Sequence, residues 1–549
     1  MKKILYNLIL IGGLFTIASC DLDRLLENPN AVTVDTTNPD FLLNNIQIAF
    51  AGNFNGYSTA GMQVTRMINQ PNNLYEQAYT AQFFDGSWNG SYATLLGNIK
   101  LMEQIGEERG LTRHTGIARV IKAYTLMTLV DYFDAVPWSE ALDPSEFNPS
   151  VDPGPQVYMA AFEALQQAKA DFQNPFGTPT DFYFPAANNS QRWLRTIAAL
   201  ELKYHLSRRL IDEGGSRTAI NALISAGNFP QPGDEFVFRY GTSVADPAAR
   251  HPRTAGQLGQ GGGPYQSTWY MFHLTDAKPM TDPRVRYYLY RQALTNPTDP
   301  DELRCLGEIA PGHYLVGGWP FCLPGTRGYW GRDHLNAEGI PPDGLRKTLY
   351  GLYPGGGMFD DNRATPATNP SAGAQGGGIQ PIMLPAFVDF MLAESALTLG
   401  TTGDPKELVL SGIRKSMNYV RAFSLSTPES GRITAFHPTA EWDEMVDNYV
   451  TFVDGEYNAA PANRRMHIIA REYWLALFGN GVEAYNLYRR TGQPDNMQPA
   501  LINLSGGVFP RSFLYPNRYV VTNSSAQQRS DLSHRVFWDN NPPGTAWVY

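Results

Sequence analysis

Aromatic side chains are concentrated in glycine-rich loops, where a flat ring can act as a binding surface. Such rings suit a pyranose sugar, because its C–H-rich face stacks on an aromatic ring while its hydroxyls form hydrogen bonds with nearby amides and carboxylates. For any single ring, packing inside the protein is the commoner role, and we expect roughly two or three of the set to contact a ligand. The candidates are Trp269, Tyr270, Trp319, Tyr329 and Trp330, with Tyr75 and Tyr79 in a stretch that also carries Asn72, Asn73 and Gln77.

Signals for catalysis are weak. The sequence has no G-x-S-x-G elbow, H-E-x-x-H motif, P-loop or G-x-G-x-x-G fingerprint. Its nine histidines lack the spacing of metal ligands, and we expect His313 and His334 to be solvated loop residues. The pairs Asp360–Asp361 and Asp181–Glu201 can flank a glycosidic bond in principle, but we predict a surface role for each acid. We therefore predict a non-enzyme without a cofactor or metal site, although Asp360, Asp361 and Asn362 leave a calcium site open.

The chain starts with a segment typical of secretion. Lys2 and Lys3 precede an apolar stretch over 4–17, which is too short to span a bilayer core of about 30 Å. Small residues then lead to Cys20, as in bacterial lipoproteins whose cysteine is lipidated. We therefore predict a signal peptide over 1–19 and lipidation of Cys20. Several acyl chains on one cysteine would anchor the protein durably in a membrane. The alternative is an ordinary signal peptide with a cysteine there by chance.

Two further cysteines remain once Cys20 is lipidated. Outside the cytoplasm disulfides persist, so we predict a bridge between Cys305 and Cys322. It closes a short loop and contributes about 3 kcal/mol in the chain-entropy model. Two separately buried thiols are the alternative that the sequence leaves open.

Bulk composition excludes some classes of function. The net charge of −9 and the absence of a basic block argue against nucleic acid as a partner. Beyond Cys20 no apolar run is long enough to cross a membrane. A hydrophobic fraction of 43% with 17% charged residues indicates a globular chain with a substantial core.

Apolar residues recur with the helical period along much of the chain. Three stripes run over Ile117–Val130, Tyr158–Phe172 and Trp193–Ile211, and 88–108 is predicted as the helical partner of the first. Later helices are predicted over 384–399, 405–422 and 461–490, the last broken near Gly479 and Gly481. Trp193 and Trp474 lie on these stripes and are predicted to be core residues, and Trp88 and Trp138 to be structural.

The segment between about 214 and 380 has a different character. Glycine runs at 261–263 and 355–357 and a Gly/Pro/Ala/Asn-rich stretch at 361–378 leave no long amphipathic helix there. So much irregular chain in a compact protein is usually functional or disordered, and the rings in it favour function. Helices on both sides predict a mainly α scaffold that displays a large loop-rich insertion.

Short motifs follow one order along nearly the whole chain after Cys20. They are Asn28-Pro29-Asn30, the stretches DYFDAVPWSEAL at 131–142, LAESA at 392–396, WLALFGNGVEAY at 474–485 and RRTG at 489–492, then Phe509-Pro510-Arg511, Tyr515-Pro516, Asn523 and Phe537-Trp538-Asp539. This order resembles the SusD/RagB family of outer-membrane nutrient-binding lipoproteins, in its SusD-like subgroup. The block from 474 onwards is the most specific part of the resemblance.

The chain departs from the family pattern at individual positions. Asp134 stands where the family usually has glycine, and Ser512 where a second arginine is common. Tyr519 replaces a frequent glutamate, and Phe537 replaces one tryptophan of the usual W-W-D. These departures bear on local packing and not on membership.

The resemblance implies an architecture and a set of partners. It implies one SusD-like domain over 20–549, with four tetratricopeptide-like helix pairs mainly over 86–213 and 384–490 and the ligand site in the insertion at about 214–380. It also implies docking over a SusC-like TonB-dependent barrel transporter, with the protein lipid-anchored in the outer membrane and facing the cell exterior. Asp21 and Asp23 resemble the signals that send such lipoproteins to the surface.

We therefore expect non-catalytic binding of an oligosaccharide at the cell surface and its delivery to the transporter. A peptide-binding member of the same transport system is one alternative, because rings and amides suit peptides equally well. A surface glycoside hydrolase is a second alternative, and an adhesin or scaffold without a small ligand is a third.

Overall fold

The computed structural model describes residues 37–185, 189–258, 263–295, 328–336, 344–500 and 507–541. Helices dominate these residues and the strands among them are short, so the predicted mainly α fold is confirmed. None of the helices in these ranges combines the length and the apolarity that crossing a bilayer requires. Cys20, His313, Trp319 and the predicted disulfide between Cys305 and Cys322 lie outside the described residues.

The first half of the chain builds a stack of neighbouring helices. They are α1 (Pro39–Val64), α2 (Tyr75–Ala78), α3 (Asp85–Asn89), a π-helical stretch (Gly90–Leu96), α4 (Gly97–Arg109), α5 (Thr112–Phe133), α6 (Gly154–Gln173), α7 (Ser190–Arg208) and α8 (Glu213–Ala226). Consecutive helices α4 to α8 pack against one another, and the predicted apolar stripes face these contacts. Ile211 is exposed beyond the end of α7, so its predicted place on the third stripe is wrong.

Short elements occupy most of the described part of the insertion. Strand β1 (Phe236–Arg239) pairs antiparallel with β4 (Ile379–Met383), and β2 (Leu289–Tyr290) pairs with β3 (Leu349–Tyr350). The helices here are α9 (Pro252–Ala255), α10 (Thr268–Thr275) and α11 (Val285–Tyr288), with 3-10 turns at Pro247–Ala249 and Gly344–Arg346. The expectation of no long helix in this segment is wrong at its start, where α8 extends over 14 residues.

The second helical block follows the insertion. It contains α12 (Pro385–Leu399), α13 (Pro405–Leu425), α14 (Ser430–Phe436), α15 (Thr439–Ala459), a 3-10 turn (Ala462–Arg464), α16 (Arg465–Ala476), α17 (Gly481–Thr491) and α18 (Asn517–Thr522). The break between α16 and α17 confirms the predicted interruption, and Gly479 there has a φ of 103°, which favours glycine. Helices α1 and α15 had no counterpart among the sequence predictions.

Two helices far apart in sequence, α1 and α17, approach closely at glycine residues. A Cβ on Gly61 would overlap the backbone of Gly481, and a Cβ on Gly481 would overlap the backbone of α1. Ser58 links α1 to the start of α17, since its hydroxyl donates to the Gly479 carbonyl at 2.8 Å and accepts from the Gly481 amide at 2.9 Å. Gly61 of α1 and Gly481 of the GNG motif therefore allow the chain's two helical blocks to meet.

Buried charged side chains join the other motifs of the resemblance. Asp131, which is fully buried, accepts hydrogen bonds from Tyr158, from Asn486 at 2.6 Å and from the Trp538 indole at 3.0 Å. Glu394 of the LAESA motif is equally buried and accepts from Arg490 at 2.6 and 2.8 Å. The motifs thus form a polar interior that locks helices of both blocks together.

The replacement of glycine by Asp134 has a visible explanation. Asp134 ends α5 with a φ of 60°, a conformation that favours glycine. Its carboxylate accepts from the Phe537 amide at 2.7 Å and lies 3.0 Å from His534 Nε2. These bonds offset part of the backbone strain, which is about 1–3 kcal/mol.

Candidate ligand-binding site

The rings predicted to bind ligand come from segments that the fold brings together. The Asn69 amide donates to the Tyr265 carbonyl at 2.9 Å, which joins the segment after α1 to the start of α10. The Thr268 amide then donates to the Arg332 carbonyl at 3.0 Å, and the Leu335 amide donates to the Gln70 carbonyl at 2.9 Å. The segments that carry Tyr75, Tyr79, Trp269, Tyr270, Tyr329 and Trp330 are therefore direct neighbours.

All of these described rings are buried, with at most 5% of any residue exposed. The Tyr75 hydroxyl accepts from Arg66 at 2.9 Å and contacts His334 Nε2 at 3.0 Å, while the Tyr270 hydroxyl donates to the Leu475 carbonyl at 2.9 Å. His334 is fully buried, so its predicted solvated role is wrong. Ligand contact by these rings and by Trp319 stays a prediction, and for the described ones it requires a change that uncovers a ring face.

An open groove lies elsewhere, where the insertion meets the second helical block. We call it the β1–α13 groove; it has a volume of about 500 Å³. Its lining residues are Pro232, Gly233, Glu235, Arg239, Leu384, Pro385, Ala386, Lys415, Asn418, Tyr419, Ala422, Phe423 and Ser426. The volume lies within the range of about 300–1,000 Å³ that is typical of sites for small ligands.

Two aromatic rings of α13 form the apolar part of this groove. Tyr419 and Phe423 are four residues apart, so they lie side by side on one face of the helix, and both are half-buried. The buried Tyr353 supports them from behind, with ring centroids 6.2 Å from Tyr419 and 6.0 Å from Phe423, both edge to face. This packing fixes the two rings in place while leaving part of each accessible.

Polar groups of both signs surround the rings. Burial and then the negative charge of Glu235 raise the pKa of Tyr419, and Arg239 lowers it by less, so the phenol is neutral at physiological pH. Lys415 is already paired, since its Nζ lies 2.8 Å from both carboxylate oxygens of Asp389. The exposed Asn418 and Ser426 add an amide and a hydroxyl at the rim. Ring faces bordered by donors and acceptors are what stacking and hydrogen bonding to a sugar require.

The lining of the groove does not match the geometry of glycoside hydrolysis. That reaction ordinarily uses two carboxyl groups on either side of the scissile bond. Among the lining residues Glu235 is the one carboxylate.

Of the four carboxylates weighed in the sequence, Asp181, Glu201 and Asp360 are buried and Asp361 is half-buried. Asp181 accepts from the Trp193 indole at 2.7 Å, Glu201 accepts from Gln166 at 2.6 Å, and Asp360 accepts from Arg291 at 2.6 Å. All three are buried, so the predicted surface role is wrong for each. Asp360 faces a guanidinium, and within the described ranges no cluster of three or more His, Cys, Asp or Glu side chains is placed to hold a metal ion.

Sequence reasoning did not identify the residues of the β1–α13 groove. Tyr419 lies within the helix predicted over 405–422 and Phe423 directly after its predicted end, beside an apolar stripe that includes Val409, Ile413 and Val420. An aromatic pair at a spacing of four on the flank of such a stripe was the available signal. Glu235 and Arg239 had no comparable signal, because only the pairing of β1 with β4 brings them to α13.

Comparisons with known proteins identify the family. A family model described as "Starch-binding associating with outer membrane" matches residues 29–301, and one described as "Susd and RagB outer membrane lipoprotein" matches residues 347–534. The chain therefore belongs to the SusD/RagB family, which confirms the resemblance predicted from its motifs. No curated protein sequence matches the chain.

Solved structures share the fold at low sequence identity. A SusD/RagB family protein from Bacteroides thetaiotaomicron is 18% identical with a TM-score of 0.63, covering 93% of this chain and 100% of that chain. A SusD homologue from Bacteroides fragilis is 17% identical with a TM-score of 0.63, covering 92% and 99%. A chitin-binding SusD homologue from Flavobacterium johnsoniae is 16% identical with a TM-score of 0.61, covering 92% and 99%.

Proposed function

We propose that this protein captures an oligosaccharide at the cell surface and releases it unchanged to a SusC-like TonB-dependent transporter. The observation that carries the proposal is the β1–α13 groove, which is lined by two half-buried rings and by hydrogen-bonding side chains. The starch-binding description of one matching family model and the chitin-binding name of a similar structure support a glycan as the ligand class.

Binding in the groove is reversible and involves no covalent step. Tyr419 and Phe423 stack against the C–H-rich faces of the sugar, which removes apolar surface from water. Asn418 and Ser426 exchange hydrogen bonds with its hydroxyls, and Glu235 and Arg239 supply an acceptor and donors at the opposite wall. Because single hydrogen bonds contribute only about 0.5–1.5 kcal/mol net, the stacked rings account for most of the affinity.

The cellular setting of the proposal follows from the family. Lipidation of Cys20 after removal of residues 1–19 anchors the mature protein in the outer membrane, facing outwards, and the paired helices form a tetratricopeptide-like scaffold. The description of the matching family model, an outer membrane lipoprotein, supports this setting. The disulfide between Cys305 and Cys322 and the transporter partnership belong to the same proposal.

A paired binding experiment tests both the ligand class and the site. The mature protein is screened against soluble oligosaccharides and against peptides, and the best ligand is titrated into the wild type and the Tyr419→Ala variant. Loss of a central stacking ring costs about 2 kcal/mol or more, which lowers affinity by about 30-fold. The matched control is Phe176→Ala, which removes a ring that is 63% exposed and does not line the groove.

Each other outcome of this experiment contradicts a stated part of the proposal. Binding to peptides alone overturns the glycan assignment. If Trp319→Ala or Trp269→Ala loses affinity and Tyr419→Ala does not, the binding site lies at the predicted rings of the insertion and not in the groove. If the ligand recovered after the titration contains shorter oligosaccharides, the protein is a glycoside hydrolase.

A further inference from the structure

The connection between α5 and α6 is an ordered loop that projects an aromatic side chain. Val136 and Asp152 exchange backbone hydrogen bonds of 3.1 and 2.9 Å, which closes the loop at its base. The Asp152 carboxylate also accepts from the amides of Trp138 and Ser139, both at 2.8 Å. Phe147 at the far end of this loop is 82% exposed, although burying such a ring would be favourable by about 1.5–3 kcal/mol.

A cleft of about 190 Å³ lies between this loop, the start of the π-helical stretch and α18. We call it the Trp88–Tyr519 cleft; its aromatic walls are Trp88, Tyr92, Phe147 and Tyr519. The Trp88 ring centroid lies 4.9 Å from that of Tyr92 and 5.0 Å from that of Tyr519. Trp88, predicted to be structural, is therefore buried and at the same time lines a cleft.

One residue that lines the cleft carries a buried polar group with no partner within the described part of the chain. The Tyr519 hydroxyl makes no hydrogen bond there, although the residue is only 8% exposed. Its neighbours are already engaged, because the Tyr92 hydroxyl donates to the Pro137 carbonyl at 2.8 Å and the Asn523 amide donates to the Pro149 carbonyl at 2.8 Å. An unpaired buried hydroxyl costs about 1–3 kcal/mol, a cost that a ligand hydroxyl would remove.

The cleft is electrically neutral. None of the residues that line it is an aspartate, glutamate, lysine, arginine or histidine. Burial raises the pKa of Tyr519 to about 12, so its phenol carries no charge at physiological pH. A charged ligand would find no counter-ion among the lining residues. The volume also lies below the range of about 300–1,000 Å³ that larger ligands occupy.

We propose that the Trp88–Tyr519 cleft is a second binding site, separate from the β1–α13 groove, for one neutral pyranose unit at the end or branch of a glycan. The sugar stacks on the aromatic walls and its hydroxyl pairs with that of Tyr519. The two sites share no lining residue, and the second stands independently of the first.

Saturation-transfer NMR with simple methyl glycosides tests the proposal. The probes are the methyl pyranosides of glucose, mannose, galactose and N-acetylglucosamine, applied to the mature chain carrying Tyr419→Ala so that binding in the groove is weakened. We expect saturation transfer to at least one glycoside. Tyr519→Phe, which keeps the ring and removes the hydroxyl, should weaken its binding by about 2- to 10-fold without lowering the melting temperature, because the hydroxyl has no partner in the free protein.

Two further variants provide a test if a substitution at Tyr519 disturbs folding. Phe147→Ala alters an exposed ring, so it leaves folding intact and should weaken glycoside binding by at least 5-fold. Phe176→Ala removes an exposed ring that does not line the cleft and should bind as the parent does. The proposal is overturned if no glycoside binds, or if Tyr519→Phe and Phe147→Ala both bind as tightly as the parent protein.

Discussion

Glu394 is the side chain whose loss should most clearly expose how the two helical blocks are held together. Its carboxylate accepts from Arg490 at 2.6 and 2.8 Å and from Arg209 at 3.0 Å, and all of these groups are buried or nearly so. Burial alone would raise the pKa of Glu394, but the two guanidinium groups outweigh it and hold this pKa below its usual value. The group is therefore ionised inside the protein.

The substitution Glu394→Gln keeps the shape of the side chain and removes its charge. Arg490 and Arg209 are then left with less compensation in the interior; for Arg490 the remaining carboxylate is Glu483 at 3.2 Å. Breaking a buried ion pair in this way costs about 3–5 kcal/mol. At an unfolding entropy of about 2.1 cal/mol/K per residue, a cooperative unit of about 500 residues loses about 1 °C per kcal/mol, so Tm should fall by about 3–5 °C.

Differential scanning calorimetry measures this shift directly. The matched control is Glu407→Gln on α13, where the same change is made on a carboxylate whose side chain is 69% exposed. Exposed pairs contribute about 0–1 kcal/mol, so the control should melt within about 1 °C of the wild type. Equal melting temperatures for Glu394→Gln and the control would refute the reasoning that this buried pairing stabilises the fold.

Three further predictions concern stability. Asp134→Ala should lower the free energy of unfolding by about 1–3 kcal/mol more than Asp134→Gly, as measured by urea titration, because glycine adopts the positive φ freely and alanine does not. Gly61→Ala should prevent accumulation of folded protein, because its Cβ meets the Gly481 backbone; normal expression with an unchanged circular dichroism spectrum would contradict this. The pKa of Glu472 is about 2, since Lys278 and two arginines outweigh the opposing effect of burial. The pKa of Glu472 in the folded protein lies below its value of 4.5 in the unfolded chain. Its contribution to stability is therefore present above pH 4.5 and is lost as the pH falls towards 2. Over that pH range, Tm should fall more steeply in the wild type than in Glu472→Gln.

The helical scaffold was predictable because burial leaves a periodic trace in sequence. Ile117, Ile121 and Tyr124 lie on one face of α5 at the spacing that their burial requires. The motif residues Asp131, Glu394 and Arg490 were recognised by resemblance alone. Their role as a buried polar interior became visible only in the fold, because hydrogen-bond partners separated by some 100 to 400 positions leave no local pattern.

The proposed binding surfaces were harder to predict, because a ring that packs inside the protein and a ring that stacks on a ligand look the same in the sequence. Trp269 and Trp330 follow glycine-rich stretches of the sequence, yet both are buried, Trp269 within the short helix α10. Tyr419 and Tyr519 lie on helices α13 and α18, outside the loops where the sequence placed the candidate rings, and each lines an open cavity. Which side of a helix remains accessible depends on the neighbouring element, and that is set by the tertiary packing of β1 and of the loop after α5.

The central claim is that the chain binds an oligosaccharide in the β1–α13 groove and returns it intact. Isothermal titration calorimetry of the mature protein with its best oligosaccharide tests this claim most directly. The ligand is then recovered from the calorimeter and its mass is measured by mass spectrometry. We predict saturable binding that Tyr419→Ala weakens by about 30-fold, with every recovered molecule at its starting mass. Recovered fragments, or binding that Tyr419→Ala leaves unchanged, would contradict the account.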